Sequence, residues 1–486
     1  MTSDLTCLSA TDLVAHYRAR RLSPVEVTRA VLDRIEALNP VYNAFVVADP
    51  LSAMASARAS EERWRRNEPA GAVDGVPTSV KDLVLARGWP TRRGSMTIDP
   101  NQPWDVDGPP VARLREQGAV LLGKTTTPEF GWKGVTDSPL TGITRNPWDP
   151  RLTPGGSSGG AAVAAALGMG PLHLATDGGG SIRIPAAFCG VFGFKPTWGM
   201  VPVHPHSPSL SLWHQGPLTR NVADAALMQS VIAQPDQRDW YGLPAQHVDY
   251  RRHLDDGIRG WRIAYSRTLG YARVDPGVAA MVERALGVLA GLGAHIEEID
   301  LDLPDPIEIM QPLWSVALAL AVEPMSPTQR ALLDPPLLDV AEPGMRMTAL
   351  EYRRVEMARE AFGRRMNDLH REYDLLITPQ LPITAFAVGH EVPPDGDRRR
   401  WWEWSPFTYP FNLTQQPAAA VPCGFDHRGL PVAMQMIGAK FDDARVLQAA
   451  RAFESVQPFV MPSADHPVGA AAKRPPYLDE PTFPQT

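Results

Sequence analysis

The chain has 486 residues, of which 44% are hydrophobic and 21% charged, and its formal net charge is −7 at pH 7. A chain of this length can bury a large core, and its scattered positive charges argue against nucleic acid or an anionic membrane as a partner. Its three cysteines are far apart, show no metal-binding spacing and suit a reducing compartment. No apolar run reaches the roughly 18 residues of a membrane span, and no signal-peptide pattern is found, so we expect a cytoplasmic protein.

The first predicted elements are two helices. Ser23 and Glu26 form a capping box that starts a helix, and Pro40 is expected to follow the end of that helix. An alanine- and arginine-rich helix is expected at about 52–66. From there to about residue 240, short apolar runs alternate with glycine and proline turns.

The rest of the chain alternates between predicted strands and helices. Strands are expected at 263–265, 295–299 and 375–378, and helices at 224–232, 276–292 and 351–370. This alternation predicts an α/β fold with a mostly parallel or mixed sheet covered by helices on both faces. The pattern weakens over 301–342, and the proline- and tryptophan-rich stretch 388–410 is expected to be a long loop that acts as a lid or binds a ligand. The tail after about residue 462 is expected on the surface.

Residues 118–125, GAVLLGKT, match the P-loop pattern of nucleotide-binding proteins. In a P-loop the four variable residues wrap around phosphates, but here they are Ala-Val-Leu-Leu, which is typical of a buried strand. Pro128 also opposes a helix directly after the motif. We therefore expect a strand that ends in a surface lysine, Lys124.

Two serine–glycine clusters carry the clearest chemical signal. Residues 155–160 read GGSSGG and residues 178–181 read GGGS, with 24 positions from Ser157 to Ser181. Glycine-flanked serines let backbone N–H groups approach a ligand closely. The first cluster also fits the nucleophile elbow G-x-S-x-G, but no apolar strand precedes it and no later histidine stands in the context of a base. An α/β-hydrolase is therefore the less favoured alternative.

A serine nucleophile needs a base, and Lys81 in VPTSVKDL is a candidate because it ends a short apolar segment. From its position alone, an ion pair with a nearby acid explains Lys81 equally well. A lysine accepts a proton only when it is neutral, so a catalytic role requires a dry, tightly packed position that lowers its pKa.

Taken together, Lys81 in VPTSVKDL, GGSSGG at 155–160 and TDGGGSIRIPAAFCGVFGFKPT at 176–197 closely resemble the amidase signature family, in particular bacterial aryl and alkyl amidases. The resemblance covers nearly the whole chain. It implies one amidase domain over residues 1–486, with a central twisted mixed β-sheet between helices on both faces. Its expected parts are N-terminal helices to about 66, a catalytic core at about 67–240, and variable pocket segments at about 301–345 and 385–412.

The resemblance also implies hydrolysis of an amide or related C–N bond by a Ser–cis-Ser–Lys triad, with no metal or organic cofactor. Carried over by motif position, Ser181 is the nucleophile, Ser157 the bridging serine after a cis peptide bond, and Lys81 the base. The 24-residue step favours Ser157 over Ser158 for the bridge.

Further residues are expected to support this triad. The backbone N–H groups of Gly178, Gly179 and Gly180 are expected to form the oxyanion hole. Asp177 and Arg183 are expected to form a structural, charge-assisted hydrogen-bonding pair. Ser158 and Thr176 are expected to donate hydrogen bonds around the triad.

Aromatic and apolar residues outside the motifs are expected to line the substrate pocket. The candidates are Trp132, Trp213, Met310, Trp314, Leu318, the 401–404 loop and Gln416. An apolar, aromatic lining favours an aryl or alkyl amide, an anilide or a carbamate (urethane) as the small-molecule substrate.

Two functional alternatives remain open at this point. One is the glutaminase-like A component of a tRNA-dependent amidotransferase, which needs partner subunits; Trp213 and His214 stand where that branch carries an SLDQ-type sequence, which weakens this hypothesis. The other is esterase activity on the same triad. The sequence is also compatible with a homodimer.

Overall fold

The computed structural model of the protein describes residues 4–244 and 248–462. One mixed β-sheet of eleven strands forms its centre. The strands are β1 (Phe45–Ala48), β2 (Pro77–Lys81), β3 (Val120–Thr125), β4 (Asp137–Ser138), β5 (Gly142–Ile143), β6 (Leu172–Asp177), β7 (Phe192–Lys195), β8 (His214–Thr219), β9 (Arg262–Tyr265), β10 (His295–Glu298), β11 (Leu375–Pro379), β12 (Ala418–Phe425) and β13 (Pro431–Gly438). Their order in the sheet is β1-β3-β2-β6-β8-β7-β12-β13-β11-β9-β10, and β4 and β5 pair separately.

The helices connect these strands and lie against the sheet. They are α1 (Ala10–Arg18), α2 (Pro24–Tyr42), α3 (Pro50–Arg66), α4 (Pro109–Glu116), α5 (Gly159–Ala166), α6 (Arg183–Cys189), α7 (Val222–Ile232), α8 (Pro276–Gly291), α9 (Ile307–Val322), α10 (Pro327–Arg330), α11 (Pro335–Arg346), α12 (Ala349–Leu369), α13 (Pro410–Leu413) and α14 (Asp443–Val456). Short 3₁₀ turns lie at Leu5–Cys7, Glu129–Gly131, Leu210–Leu212 and Trp401–Trp404. None of the helices in the described ranges is long and apolar enough to cross a membrane.

The sheet is mixed and both of its faces are covered, as the sequence predicts. β2 pairs in parallel with β3 and β6, whereas β6 and β8 run antiparallel. Along β3, Val120 and Leu122 pack in one hydrophobic cluster with α2, α3 and α5, and Leu121 packs in another with α4 and α7. Because successive strand residues point to opposite faces, helices must cover both sides.

One helix prediction needs correction, and the region where the pattern weakens contains helices that the sequence did not indicate; both cases involve proline. α2 begins at the predicted capping box but runs through Pro40 to Tyr42, where Asn43 adopts a left-handed conformation and donates its N–H to the Asn39 carbonyl. In the region where the pattern weakens, α9 and α11 contain Pro312 and Pro343 within regular helix. A proline removes one hydrogen bond, and the burial of the apolar residues of each helix offsets this loss.

The predicted long loop at 388–410 has one 3₁₀ turn, and its tryptophans lie in the core instead of on an exposed lid. Trp401, Trp402 and Trp404 are all buried. Trp404 stacks on Phe188 with ring centroids 5.7 Å apart. The predicted surface tail lies outside the described residues, apart from its first positions.

The P-loop-like segment is a strand, as predicted, but Lys124 is fully buried and not on the surface. Its Nζ donates to the Thr91 hydroxyl at 2.6 Å and to the Val84 carbonyl at 2.8 Å, and lies 3.4 Å from Asp82 Oδ1. Burial lowers the pKa of Lys124 to about 8, although Asp82 opposes this shift. Lys124, on β3, therefore holds the segment that follows β2 in place.

We expect Lys124→Met to lower the free energy of unfolding by about 3–5 kcal/mol, because it leaves Asp82 buried without its partner. Guanidinium-induced unfolding measures the change. Arg66→Met is the control: Arg66 pairs with Glu62 and Glu68 on the surface, so its loss should cost less than about 1 kcal/mol. Equal unfolding midpoints for the two variants would contradict the structural role of Lys124.

Candidate active site

Lys81 is the last residue of β2, and its ammonium position is enclosed by hydroxyl groups. Nζ lies 2.7 Å from Ser157 Oγ, 2.8 Å from Ser158 Oγ and 3.0 Å from Thr176 Oγ1. Lys81 is fully buried, and among the described residues it forms no ion pair, so the alternative of a simple structural ion pair does not hold. Burial holds the pKa of Lys81 well below its usual value, and the charge of Asp177 only partly opposes this.

The first serine cluster forms a tight turn that places two hydroxyls on Lys81. The Gly156–Ser157 peptide bond is cis, as the family resemblance implies. A Cβ on Gly156 would lie 2.6 Å from the Val135 carbonyl oxygen, so only glycine fits there. Ser158 Oγ also donates to the Thr176 carbonyl at 3.1 Å, and its N–H donates to the Ser181 carbonyl at 3.1 Å. The two serine clusters are thus joined directly.

The second cluster is the turn between β6 and α6, and Asp177 organises it. The Asp177 carboxylate accepts hydrogen bonds from the N–H groups of Gly180 at 2.7 Å and Ile182 at 3.1 Å. The Gly180 N–H is therefore engaged, which corrects its expected role as an oxyanion donor. In the described part of the chain, the N–H groups of Gly178, Gly179 and Ser181 have no protein acceptor, so these three are available to a developing negative charge.

Asp177 and Arg183 form the buried pair that the sequence predicts. Arg183 Nη2 lies 2.9 Å from Asp177 Oδ1, and both side chains are fully buried. Burial by itself raises the pKa of Asp177, but Arg183 outweighs this effect and holds the pKa below its usual value. The charged pair fixes the turn that carries Ser181.

Three partners of this pair come from the distant C-terminal part of the chain and were missed by the sequence analysis. Asn412 Oδ1 accepts from Arg183 at 2.6 Å, and Gln435 Oε1 accepts from it at 2.7 Å. The Thr408 carbonyl accepts from Arg183 at 2.8 Å, and its hydroxyl donates to the Gly179 carbonyl at 2.6 Å. No local sequence signal marks these residues, because their roles depend on contacts between distant segments.

A cleft opens beside the two clusters, and some of the predicted pocket residues line it. Trp213, Trp314 and Leu318 are among its lining residues. Lys81, Ser157 and Ser181 are not among its lining residues, but two lining residues are close to the serine clusters. A Cβ on Gly178 would lie 3.1 Å from the Trp314 ring, and Phe130 precedes Gly131, whose added Cβ would lie 3.1 Å from Ser157 Oγ.

The other predicted pocket residues are buried outside the cleft lining. Trp132 is fully buried and donates its ring N–H to Asp334 at 3.1 Å. Met310 and Trp401 pack against the Gly178–Ser181 turn, where their side chains lie 3.1 and 2.6 Å from the position of a Cβ on Gly179. Gln416 is fully buried, and its backbone carbonyl accepts a hydrogen bond from Lys195. Met310 and Trp401 thus pack directly against the turn that contains Gly179.

No three His, Cys, Asp or Glu side chains within residues 4–244 and 248–462 are grouped so that they could hold a metal ion. The groups that meet around Lys81 are the hydroxyls of Ser157, Ser158 and Thr176.

Comparison with known proteins defines the class of this enzyme. The sequence model of the amidase family matches residues 26–447. An acylamidase of Rhodococcus erythropolis is 36% identical over 463 residues, which cover 94% of this chain and 97% of that protein. The A component of the glutamyl-tRNA(Gln) amidotransferase of Chloroflexus aggregans is 35% identical over 466 residues, covering 90% and 94% of the two chains.

Comparison of the fold with solved structures supports the same class. A solved bacterial aryl acylamidase of the amidase signature family superimposes with a TM-score of 0.89 and 30% identity, covering 95% of this chain and 99% of that one. The chain is thus an α/β enzyme of the amide-hydrolase class. It belongs to the amidase signature family.

We expect Gly180→Ala to destabilise the protein by about 1–3 kcal/mol, because a side chain would be held in an unfavourable left-handed backbone conformation. Gly180 has φ of +126°, and its Cβ would lie 2.5 Å from Thr408 Cβ. Gly363→Ala is the control, since nothing lies within 4 Å of its added Cβ in α12; it should stabilise by up to about 1 kcal/mol. Thermal unfolding compares the two, and a Gly180→Ala midpoint at the wild-type temperature would contradict the described turn.

Proposed function

We propose that this protein hydrolyses an aryl or alkyl acyl amide through an acyl-enzyme, with Ser181 as nucleophile, Ser157 as the bridging serine and Lys81 as base. The observation that carries the proposal is the fully buried Lys81 Nζ, 2.7 Å from Ser157 Oγ and without a carboxylate partner among the described residues. A neutral amine has a lone pair and accepts a proton from a hydroxyl, which an ammonium does not. Relatives named acylamidase and aryl acylamidase support the same reaction.

In the proposed reaction, Lys81 takes the Ser157 proton while Ser157 takes that of Ser181. Ser181 Oγ then forms a bond to the carbonyl carbon of the substrate, and the carbonyl electrons move onto the oxygen. The free N–H groups of Gly178 and Gly179, with that of Ser181, stabilise this oxyanion; one such donor contributes about 3–4 kcal/mol in known enzymes.

The oxyanion collapses by breaking the C–N bond. Lys81 returns its proton through Ser157 to the leaving nitrogen, which departs as a neutral amine and leaves an ester on Ser181. A water molecule, deprotonated by the same relay, attacks this ester, and the carboxylic acid and the free serine are released.

The cleft supports an apolar substrate. Its apolar walls include Leu83, Phe130, Trp213, Trp314 and Leu318, and such walls bury aryl and alkyl groups. Anilides and carbamates present a similar carbonyl and leaving nitrogen, so they belong to the proposed substrate range. Ester hydrolysis on the same triad is a weaker alternative, because the relay of a proton to the leaving atom is needed most for an amine.

The second candidate function is that of an amidotransferase A component, which the 35% identity to such a protein favours. By name, that relative is one part of a larger enzyme, whereas the apolar Trp213 lines the cleft of this chain. We therefore prefer an amidase that acts without partner subunits. Cytoplasmic location, a single amidase domain and a homodimer stay predictions from the sequence.

We expect Ser181→Ala to lower kcat for amide hydrolysis by about 10⁴-fold or more, because no nucleophile remains. Ser157→Ala should cost about 10²–10⁴-fold, since the proton relay is broken. Ser158→Ala is the matched control: Ser158 touches the same Nζ at 2.8 Å but lies outside the relay, so its effect should be much smaller. Release of p-nitroaniline measures all three. A Ser158→Ala loss greater than that of Ser157→Ala would reverse the assignment of the bridge.

We expect the purified chain to hydrolyse butyryl-p-nitroanilide without added subunits, because nucleophile, base and cleft come from one chain. Glutamine is the comparison substrate, with ammonia release as the measurement. Turnover of glutamine alone, or turnover that begins only when partner subunits are added, would favour the amidotransferase function instead.

A further inference from the structure

One side of the cleft carries an arginine with no partner. Arg93 lines the cleft and, in the described part of the chain, its guanidinium makes no hydrogen bond or ion pair. Its only acidic neighbour of electrostatic weight is Asp82, which is buried, lies 3.4 Å from Lys124 Nζ and accepts from the Gly94 N–H. Arginine stays protonated in proteins, so Arg93 brings an uncompensated positive charge to the cleft.

The rest of the cleft does not neutralise this charge. None of the described residues that line it is acidic. The ring of His206, another polar lining residue, is already bonded to Asp239 at 2.8 Å. An arginine that faces a partly desolvated, largely apolar cleft interacts more strongly with an anion than one in bulk water.

The backbone around Arg93 is held in an unusual conformation. Arg93 has φ of 55° and Phe130 has φ of 50°, and both are non-glycine residues in the left-handed region. They are joined by a hydrogen bond of 2.7 Å from the Phe130 N–H to the Arg93 carbonyl. Such conformations cost energy and are found mainly where the surroundings impose them at binding sites.

This hydrogen bond joins Arg93 to the segment that lies beside Ser157. Phe130 also lines the cleft, and Gly131, which follows it, faces Ser157. On the other side, the N–H of Gly94 is bonded to Asp82, the residue after Lys81. Arg93 is thus held on the wall of the cleft between the segment after Lys81 and the segment beside Ser157.

We propose that Arg93 binds a carboxylate of the substrate, so that the preferred substrates are aryl or alkyl amides with a carboxylate away from the scissile bond. This inference rests on the proposed function and narrows its substrate class. The apolar walls bind the hydrocarbon part, and the guanidinium binds the charged end by paired N–H donors. Substrates with a cationic group at this end are disfavoured by like-charge repulsion.

Three chromogenic substrates test this inference. Butyryl-p-nitroanilide is neutral, glutaryl-p-nitroanilide carries a carboxylate on its acyl part, and the butyryl amide of 5-amino-2-nitrobenzoate carries it on the leaving group. For wild-type enzyme, we expect kcat/KM for at least one carboxylated substrate to exceed that for the neutral one by about 10- to 100-fold, as for a charge-assisted hydrogen bond. The difference should lie mainly in KM, because the group binds away from the reacting atoms.

The variant Arg93→Asn removes the charge with a residue that tolerates the left-handed conformation. It should abolish the preference, so that the ratio of kcat/KM for the carboxylated substrate to that for butyryl-p-nitroanilide falls to about one, and Arg93→Lys should keep part of the preference. Arg92→Gln is the matched control, since Arg92 is the neighbouring arginine but does not line the cleft; it should keep the full preference.

The outcomes separate this inference from the proposed function. Hydrolysis of the neutral anilide without any preference for a carboxylate, or a preference that survives in Arg93→Asn, overturns the role of Arg93 and leaves the amidase intact. Failure of wild-type enzyme to cleave any of the three anilides overturns both.

Discussion

The burial of Lys81 without a counter-charge is the constraint on which the site depends. Burial at this position disfavours the ammonium form and holds the pKa of Lys81 well below its usual value, because no carboxylate in contact replaces the lost hydration. Three hydroxyls surround Nζ, and each both accepts and donates hydrogen bonds. In the proposed reaction, the same burial that removes the solvation of the charge lets Lys81 act as the base.

A second buried group, Asp177, is stabilised in its charged form. It keeps its charge, because Arg183 and backbone N–H groups surround the carboxylate, and it uses that charge to fix the turn before Ser181. Residues from the C-terminal part of the chain, Asn412 and Gln435, complete the hydrogen bonds of Arg183. The hydrogen bonds that hold the turn are therefore complete only with α13 and β13 packed against it. Preorganisation of this kind is what lets backbone N–H groups stabilise a developing charge.

Local sequence patterns predicted the α/β class and the motifs, and the family resemblance supplied the expected roles of Lys81, Ser157 and Ser181. The features that the sequence patterns did not predict depend on contacts between residues that are far apart in the chain. The burial of Lys124 follows from Asp82 on the segment beside its strand, and Asn412 lies 229 residues from Arg183. Whether the Gly180 N–H is free depends on the dihedral angles of the turn, which a run of glycines leaves open. The pocket residues were the least predictable, since a tryptophan packs as readily in the core as in a cleft.

The pH dependence of Ser181 acylation tests most directly whether neutral Lys81 is the base. It is followed as the pre-steady-state burst of p-nitroaniline. If neutral Lys81 is the base, the acylation rate rises with pH through an inflection well below the usual lysine pKa, in line with the lowered pKa of this buried group. That inflection should be absent in Lys81→Met, whose residual rate should be low. An inflection near the usual lysine pKa, or one that persists in Lys81→Met, would contradict the account.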